Sequence, residues 1–198
     1  MRIPDRKGVT ASPFRIACSE IGASHRIAEH IRCVLEHLGY HPHRRVVILC
    51  IGTDRSTGDA LGPLTGSLLS SCPGMDAEVR GTLEEPVHAS NLTEEIERIS
   101  TGSNPIIIAV DACLGQTSQV GTVSVGVGPL RPGAGVNKSL PAVGDLYLTG
   151  TVNVGGFMEY LVLQNTRLNL VVKMARVLSG SLAQVFGGVW EGQPRFVV

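Results

Sequence analysis

RVVILCIGTDRSTGDALGP, residues 45–63, decides the fold. Val46 to Ile51 is apolar without a break, and an apolar run with no polar alternation is how a parallel strand buried on both faces reads. Gly52 to Gly58 then supplies turn residues, and the apolar stretch from Leu61 to Ser71 reads as a helix, with Pro63 inside the first turn where its ring is tolerated. Working outward, Ala77–Leu83 fits a second strand, Asn91–Ile99 a short helix, and PIIIAV (105–110) another buried strand that ends at Asp111. Strand, loop and helix in this beat predict a three-layer, doubly wound, mostly parallel α/β sheet with helices on both faces.

The flanks are read the same way. Ala23 to Leu38 carries Ile27, Ile31, Val34, Leu35 and Leu38 on one helical stripe, with Gly39 at its end. VGTVSVGVGPL, from Val120, alternates like a sheet edge and runs into the glycine- and proline-rich RPGAGVNKSLPAVGD, a loop long enough to be a binding element. Leu146–Val154 is a further strand, and Phe157–Leu178 a helix with Phe157, Leu161, Leu168, Val171, Ala175 and Leu178 inward and Gly180 as terminator. Residues 1–22 are read as a flexible leader and 23–198 as one α/β domain.

Composition narrows the function. The 198 residues are 43% hydrophobic, 17% charged and 4% aromatic, which suits one aliphatic core. Seventeen basic and seventeen acidic side chains cancel, so no overall field draws the chain to nucleic acid or to an anionic membrane. The five cysteines show neither zinc spacing nor a disulfide framework, so reduced thiols and a cytoplasmic location are expected. No run of about 18 apolar residues suggests a membrane span.

In open parallel sheets the crevice lies beyond the carboxyl ends of the strands. Asp59, after the first buried strand, and Asp111, after PIIIAV, are therefore the candidate reactive pair. The alternatives are a helix N-cap for Asp59 and a turn for Asp111. Asp54 and Thr57 share the first loop, His88 follows the second strand, and Lys138 and Asp145 flank the long loop; all five are candidates for contacting a substrate. The His88 alternative is a local capping role. Cys113 is the best-placed thiol, but a neighbouring carboxylate opposes thiolate formation, so a small buried role fits it better. Gly58 is followed by an aspartate rather than by Lys-Ser/Thr, which argues against a phosphate loop.

The motifs CIGTDRSTGDALGP, GTLEEPVHA, IIAVDACLG, PGAGVNKSLPAVGDLYLTG and VNVGGFMEYLVLQNTRL, spread over residues 46–175, resemble the YyaC-type family of sporulation proteins. That family is related to the spore germination protease GPR and to hydrogenase-maturation endopeptidases such as HybD. The resemblance implies a phosphorylase/hydrolase-like fold and a peptidase-like activity in which Asp59 and Asp111 act on a peptide bond. The alternative is a sporulation protein that binds a peptide or protein partner in the same cleft without cutting it. HybD-type enzymes further imply a divalent metal, nickel carried by the substrate, approached by Asp59, Asp111 and His88. The implied partners are a protein or peptide substrate, spore proteins among them, in the forespore or mother cell, with self-association left open.

Overall fold

A computed structural model describes residues 12–101, 104–133 and 140–187. Six strands form one sheet: β1 (Phe14–Ala17), β2 (Val46–Cys50), β3 (Glu78–Arg80), β4 (Ile106–Gly115), β5 (Thr122–Val127) and β6 (Leu146–Val154), in the order β1-β5-β6-β4-β2-β3. β3, β2, β4 and β6 are mutually parallel, whereas β5 runs antiparallel to both β6 and β1. The helices are α1 (Ala23–His37), α2 (Leu61–Ser70), α3 (Leu92–Ser100), α4 (Glu159–Gln164) and α5 (Leu168–Phe186).

Alternation along the strands sorts the core into two halves. Ile48, Cys50, Ile108, Val110 and Leu148 pack with α1, α2 and α5. Val47, Leu49 and Ala109 face the other way, onto Leu92 and Ile99 of α3 and onto Val143. The three-layer α/β architecture expected from the sequence is therefore present. Among the described residues no helix is long and apolar enough to cross a membrane.

Several local expectations are corrected. Phe14–Ala17 lies inside the segment read as a leader, yet it pairs with β5 from Phe14↔Val125 to Ala17↔Thr122 and forms the sheet edge. β5, expected at the edge, is consequently interior. β4 does not stop at Val110: beyond the end of β2 it keeps β6 as a partner, from Asp111↔Thr149 to Gly115↔Val154, and so runs five residues further. The single helix expected over 157–178 is two, broken between Gln164 and Leu168, where Thr166 donates its hydroxyl to the Val162 carbonyl and accepts from Asn153 Nδ2.

That break shifts the helical phase. Val171, Ala175 and Leu178 are buried as expected, but Phe157, Leu161 and Leu168 are exposed. Gly180 does not terminate α5, which continues to Phe186. A β-carbon at Gly180 would press on Ser24 Oγ at 3.0 Å, so the glycine serves the close approach of α5 to α1.

Candidate functional site

The carboxyl ends of β2, β4 and β6 share one rim, and glycines let the chain crowd onto it. Gly52 leaves β2 with φ +142°, a conformation that side chains rarely adopt, and a β-carbon there would collide with the Asp59 carbonyl. That carbonyl accepts the Thr53 N–H at 3.2 Å, folding residues 53–59 into a closed loop. A short 3₁₀ turn, Gly58–Ala60, carries Asp59 directly into α2. Gly62 in the first turn of α2 sits against the Ile51 carbonyl, and Gly81, at φ +86°, against that of Cys50, neither leaving room for a β-carbon. Gly58 in turn abuts Leu163 Cδ2 and Thr166 Oγ1, fixing Asp59 between β2 and the α4 segment.

Asp111 continues the Val47, Leu49, Ala109 side of the sheet, one step past Ala109 on β4. It is 6% exposed, and its Oδ1 accepts the Ala112 N–H at 2.8 Å. Burial raises its pKa well above the ordinary carboxylate range, the negative charge of Asp59 raises it further, and the Ala112 N–H only partly opposes them. Asp59 and Asp111 are thus brought within electrostatic reach of each other. The assigned N-cap of α2 is Ala60, and Asp59 lies one residue before it, inside the 3₁₀ turn that leads into the helix.

Cys113 lies two residues on, on the same side of β4, with its sulfur 3.5 Å from Thr151 Oγ1. Burial pushes its thiol pKa up. The Thr151 and Thr149 hydroxyls and Arg15 oppose that shift, while Asp111 adds to it. The group stays a neutral thiol at neutral pH and does not suit a nucleophile. Thr149 and Thr151, both buried and opposite Asp111 and Cys113 in register, are neighbours of the acid pair that sequence reasoning missed. Their alternation in LYLTGTV was the available signal.

The remaining candidates are distributed unevenly. Asp54 is exposed and Thr57 half-buried in the loop that carries Asp59. Ser56, between them, is buried with a hydroxyl that has no hydrogen-bond partner. His88 follows Val87, whose carbonyl accepts the Gly52 N–H at 2.8 Å, so it stands near the same rim. Its Nδ1, however, accepts the Ser90 N–H at 3.3 Å and its backbone opens the turn into α3. Among the described residues no three His, Cys, Asp or Glu side chains gather so as to hold a metal ion, and the set Asp59, His88, Asp111 is therefore not assembled as ligands. Lys138 lies outside the described residues.

Asp145 is at the wrong end of the sheet for the expected role. It precedes β6, accepts the Ile107 N–H on Oδ2 at 2.9 Å and donates its own N–H to the Ile107 carbonyl. Ile107 is four residues before Asp111 on β4, roughly 13 Å at the rise of a strand. The carboxylate closes the first rung of the β4–β6 ladder.

A second feature of the upper rim was also missed. Val154, Phe157, Met158, Tyr160 and Leu161 form an exposed apolar ridge, with Phe157 80% exposed. The ridge is tied to the end of β4 by the Gly155 N–H, which bonds the Gly115 carbonyl at 2.9 Å. Met158 holds φ +49°, the one non-glycine residue with positive φ among those described.

Fold and site together define a three-layer α/β protein with a carboxyl pair, one member buried, at the carboxyl rim of its sheet. The chain belongs to the family described as "Protein of unknown function (DUF1256)", whose profile matches residues 18–181. It is 58% identical over 147 residues to "Uncharacterized protein YyaC" of Bacillus subtilis (strain 168), covering 74% of this chain and 72% of that protein. Among solved structures it is similar to the NiFe hydrogenase maturation protease HycI from Thermococcus kodakarensis KOD1. That likeness has a TM-score of 0.45 and 16% identity, over 71% of this chain and 91% of the other.

Proposed function

We propose that the chain is a peptidase-like protein of sporulation or germination in which Asp59 and Asp111 act together on a peptide bond. The observation that carries this reading is the placement of Asp111, buried and held toward its protonated form beside the charge of Asp59. Two neighbouring carboxyl groups with split proton affinities supply an acid and a base from one residue type. Asp111 is the member that keeps a proton to give to the carbonyl oxygen or the leaving amine. Asp59, half-buried on its turn, is the member that takes a proton from attacking water. Help of this kind is worth about 10² to 10⁴ in rate, so binding of the polypeptide must contribute the rest. On this reading Asp54 and Thr57, which share the Asp59 loop, touch that polypeptide.

The exposed ridge around Phe157 favours a polypeptide over a small polar molecule, because aromatic and aliphatic side chains offered to solvent at the carboxyl rim are suited to gripping apolar side chains. The same ridge also supports a second reading, a partner protein held in the cleft without cleavage. Incubating the purified chain with small acid-soluble spore proteins separates the two. Discrete fragments that vanish with Asp111→Asn support the peptidase; saturable binding with no fragments overturns it in favour of the second reading.

A further inference from the structure

β4 has ten residues and β2 has five, and their register ends at Cys50↔Val110. From Asp111 to Gly115, β4 is therefore paired on one side only, with β6. The direction of the backbone groups is fixed by bonds already formed. Ile106 N–H reaches the Arg45 carbonyl and Val110 O receives the Ile51 N–H, so even-numbered residues of β4 point toward β2. Ile107 O and Gly115 O receive N–H groups from Asp145 and Gly155, so odd-numbered residues point toward β6.

Ala112 and Leu114 consequently address the side that the chain leaves when it turns away at Gly52. The Ala112 N–H is taken by Asp111 Oδ1. The β2–β4 register ends at Cys50↔Val110, and among the described residues no backbone group outside the strands bonds the Ala112 carbonyl or the N–H and carbonyl of Leu114. Strand edges of this kind are templates for one more strand. This edge begins at Asp111 itself, whose carboxyl already covers its first N–H.

We propose that this free edge of β4 is the binding site for an extended polypeptide, which adds as a strand beside Ala112 and Leu114 and is thereby drawn past the acid pair. The inference rests on the peptidase-like reading for what happens next, but not for binding. Whether the added strand runs parallel or antiparallel, it must give two N–H groups, two residues apart, to the Ala112 and Leu114 carbonyls and take the Leu114 N–H on one carbonyl. Recognition is then by backbone, with side-chain preference supplied by the flanking ridge.

The test uses the full chain, immobilised, and a library of random decapeptides blocked at both ends. A retained peptide is resynthesised with one N-methylated residue at a time. The expected result is that methylation weakens binding about threefold to tenfold at two positions separated by one tolerant position, the loss of one backbone hydrogen bond each. Slowed exchange of the Leu114 amide on peptide addition accompanies it. Failure to retain any peptide, losses without alternation, or an unprotected Leu114 amide each overturn the strand. Retention with alternation but no cleavage of any peptide leaves the strand standing and removes the peptidase. Cleavage indifferent to N-methylation does the reverse.

Discussion

Asp111 and Asp145 are carboxylates at the margins of two neighbouring apolar strands, and they differ in almost everything that matters chemically. Asp145 comes before its strand, is exposed, and closes the ladder by accepting the Ile107 N–H. Asp111 lies within its strand at the other rim, buried, with one backbone N–H and a second acid nearby. A carboxylate at the amino end of parallel strands meets N–H groups and water, whereas Asp111, at the carboxyl end and enclosed by the turns that leave the sheet, keeps one N–H and little water. Strand polarity thus separates an acid bonded into the ladder from a buried one of identical formula that is held toward its protonated form.

The sharpest way to break this comparison is Asn substitution at each end. Asp111→Asn should lower peptide cleavage by at least the roughly hundredfold at the bottom of the range for acid–base catalysis, while Asp145→Asn leaves it within about twofold, read as initial rates on one polypeptide. Equal losses at both positions would erase the distinction. Stability should move the opposite way. An unfolded chain releases the Asp111 proton near the usual carboxyl value of about 4, while the folded chain holds it. The stabilising contribution is therefore complete below about pH 4 and declines as pH rises toward the folded value. Melting at pH 7 should be higher for Asp111→Asn than for the parent, with the gap closing by pH 4.

Gly81→Ala probes how the upper rim is held closed. A β-carbon meets the Cys50 carbonyl at a positive φ, so a loss of about 2 to 5 kcal/mol in urea unfolding is expected. Asp145→Ala should cost less, about 0.5 to 1.5 kcal/mol for one hydrogen bond at the lower rim. Smallest is Ser56→Ala: removing a buried hydroxyl without a partner should be neutral or stabilising by up to about 1 kcal/mol. A clear destabilisation there would mean the hydroxyl is satisfied in solution.

Much of the molecule was legible because the signals were local. Val46–Cys50 and Leu146–Val154 stand where apolar runs place them, and α2 begins at Leu61 with Pro63 in its first turn. What failed depended on partners distant in sequence. Four residues at 14–17 carry no pattern until β5 is there to pair with them. The extension of β4 runs beside the long β6, and the helix break before α5 falls where Asn153, distant in the sheet, bonds Thr166. For the site, residue type and place after a strand singled out Asp59 and Asp111. Asp145 showed the same residue type beside an apolar run, and only strand direction relative to β4 assigns it to the far end. The ridge at Phe157 was hidden by a helical period that the break interrupts.

The edge strand β1 has a bearing on biosynthesis. Its partner residues on β5 follow more than a hundred positions later in the chain, and α1 packs on α5, which comes later still. At roughly 5 to 20 residues per second on the ribosome, Phe14–Ala17 waits about 5 to 20 s and the apolar stripe of α1 about 7 to 30 s before their contacts are made. During that interval the nascent N-terminal segment shows its oily surface to the cell, which makes it the part of this protein with most use for a chaperone.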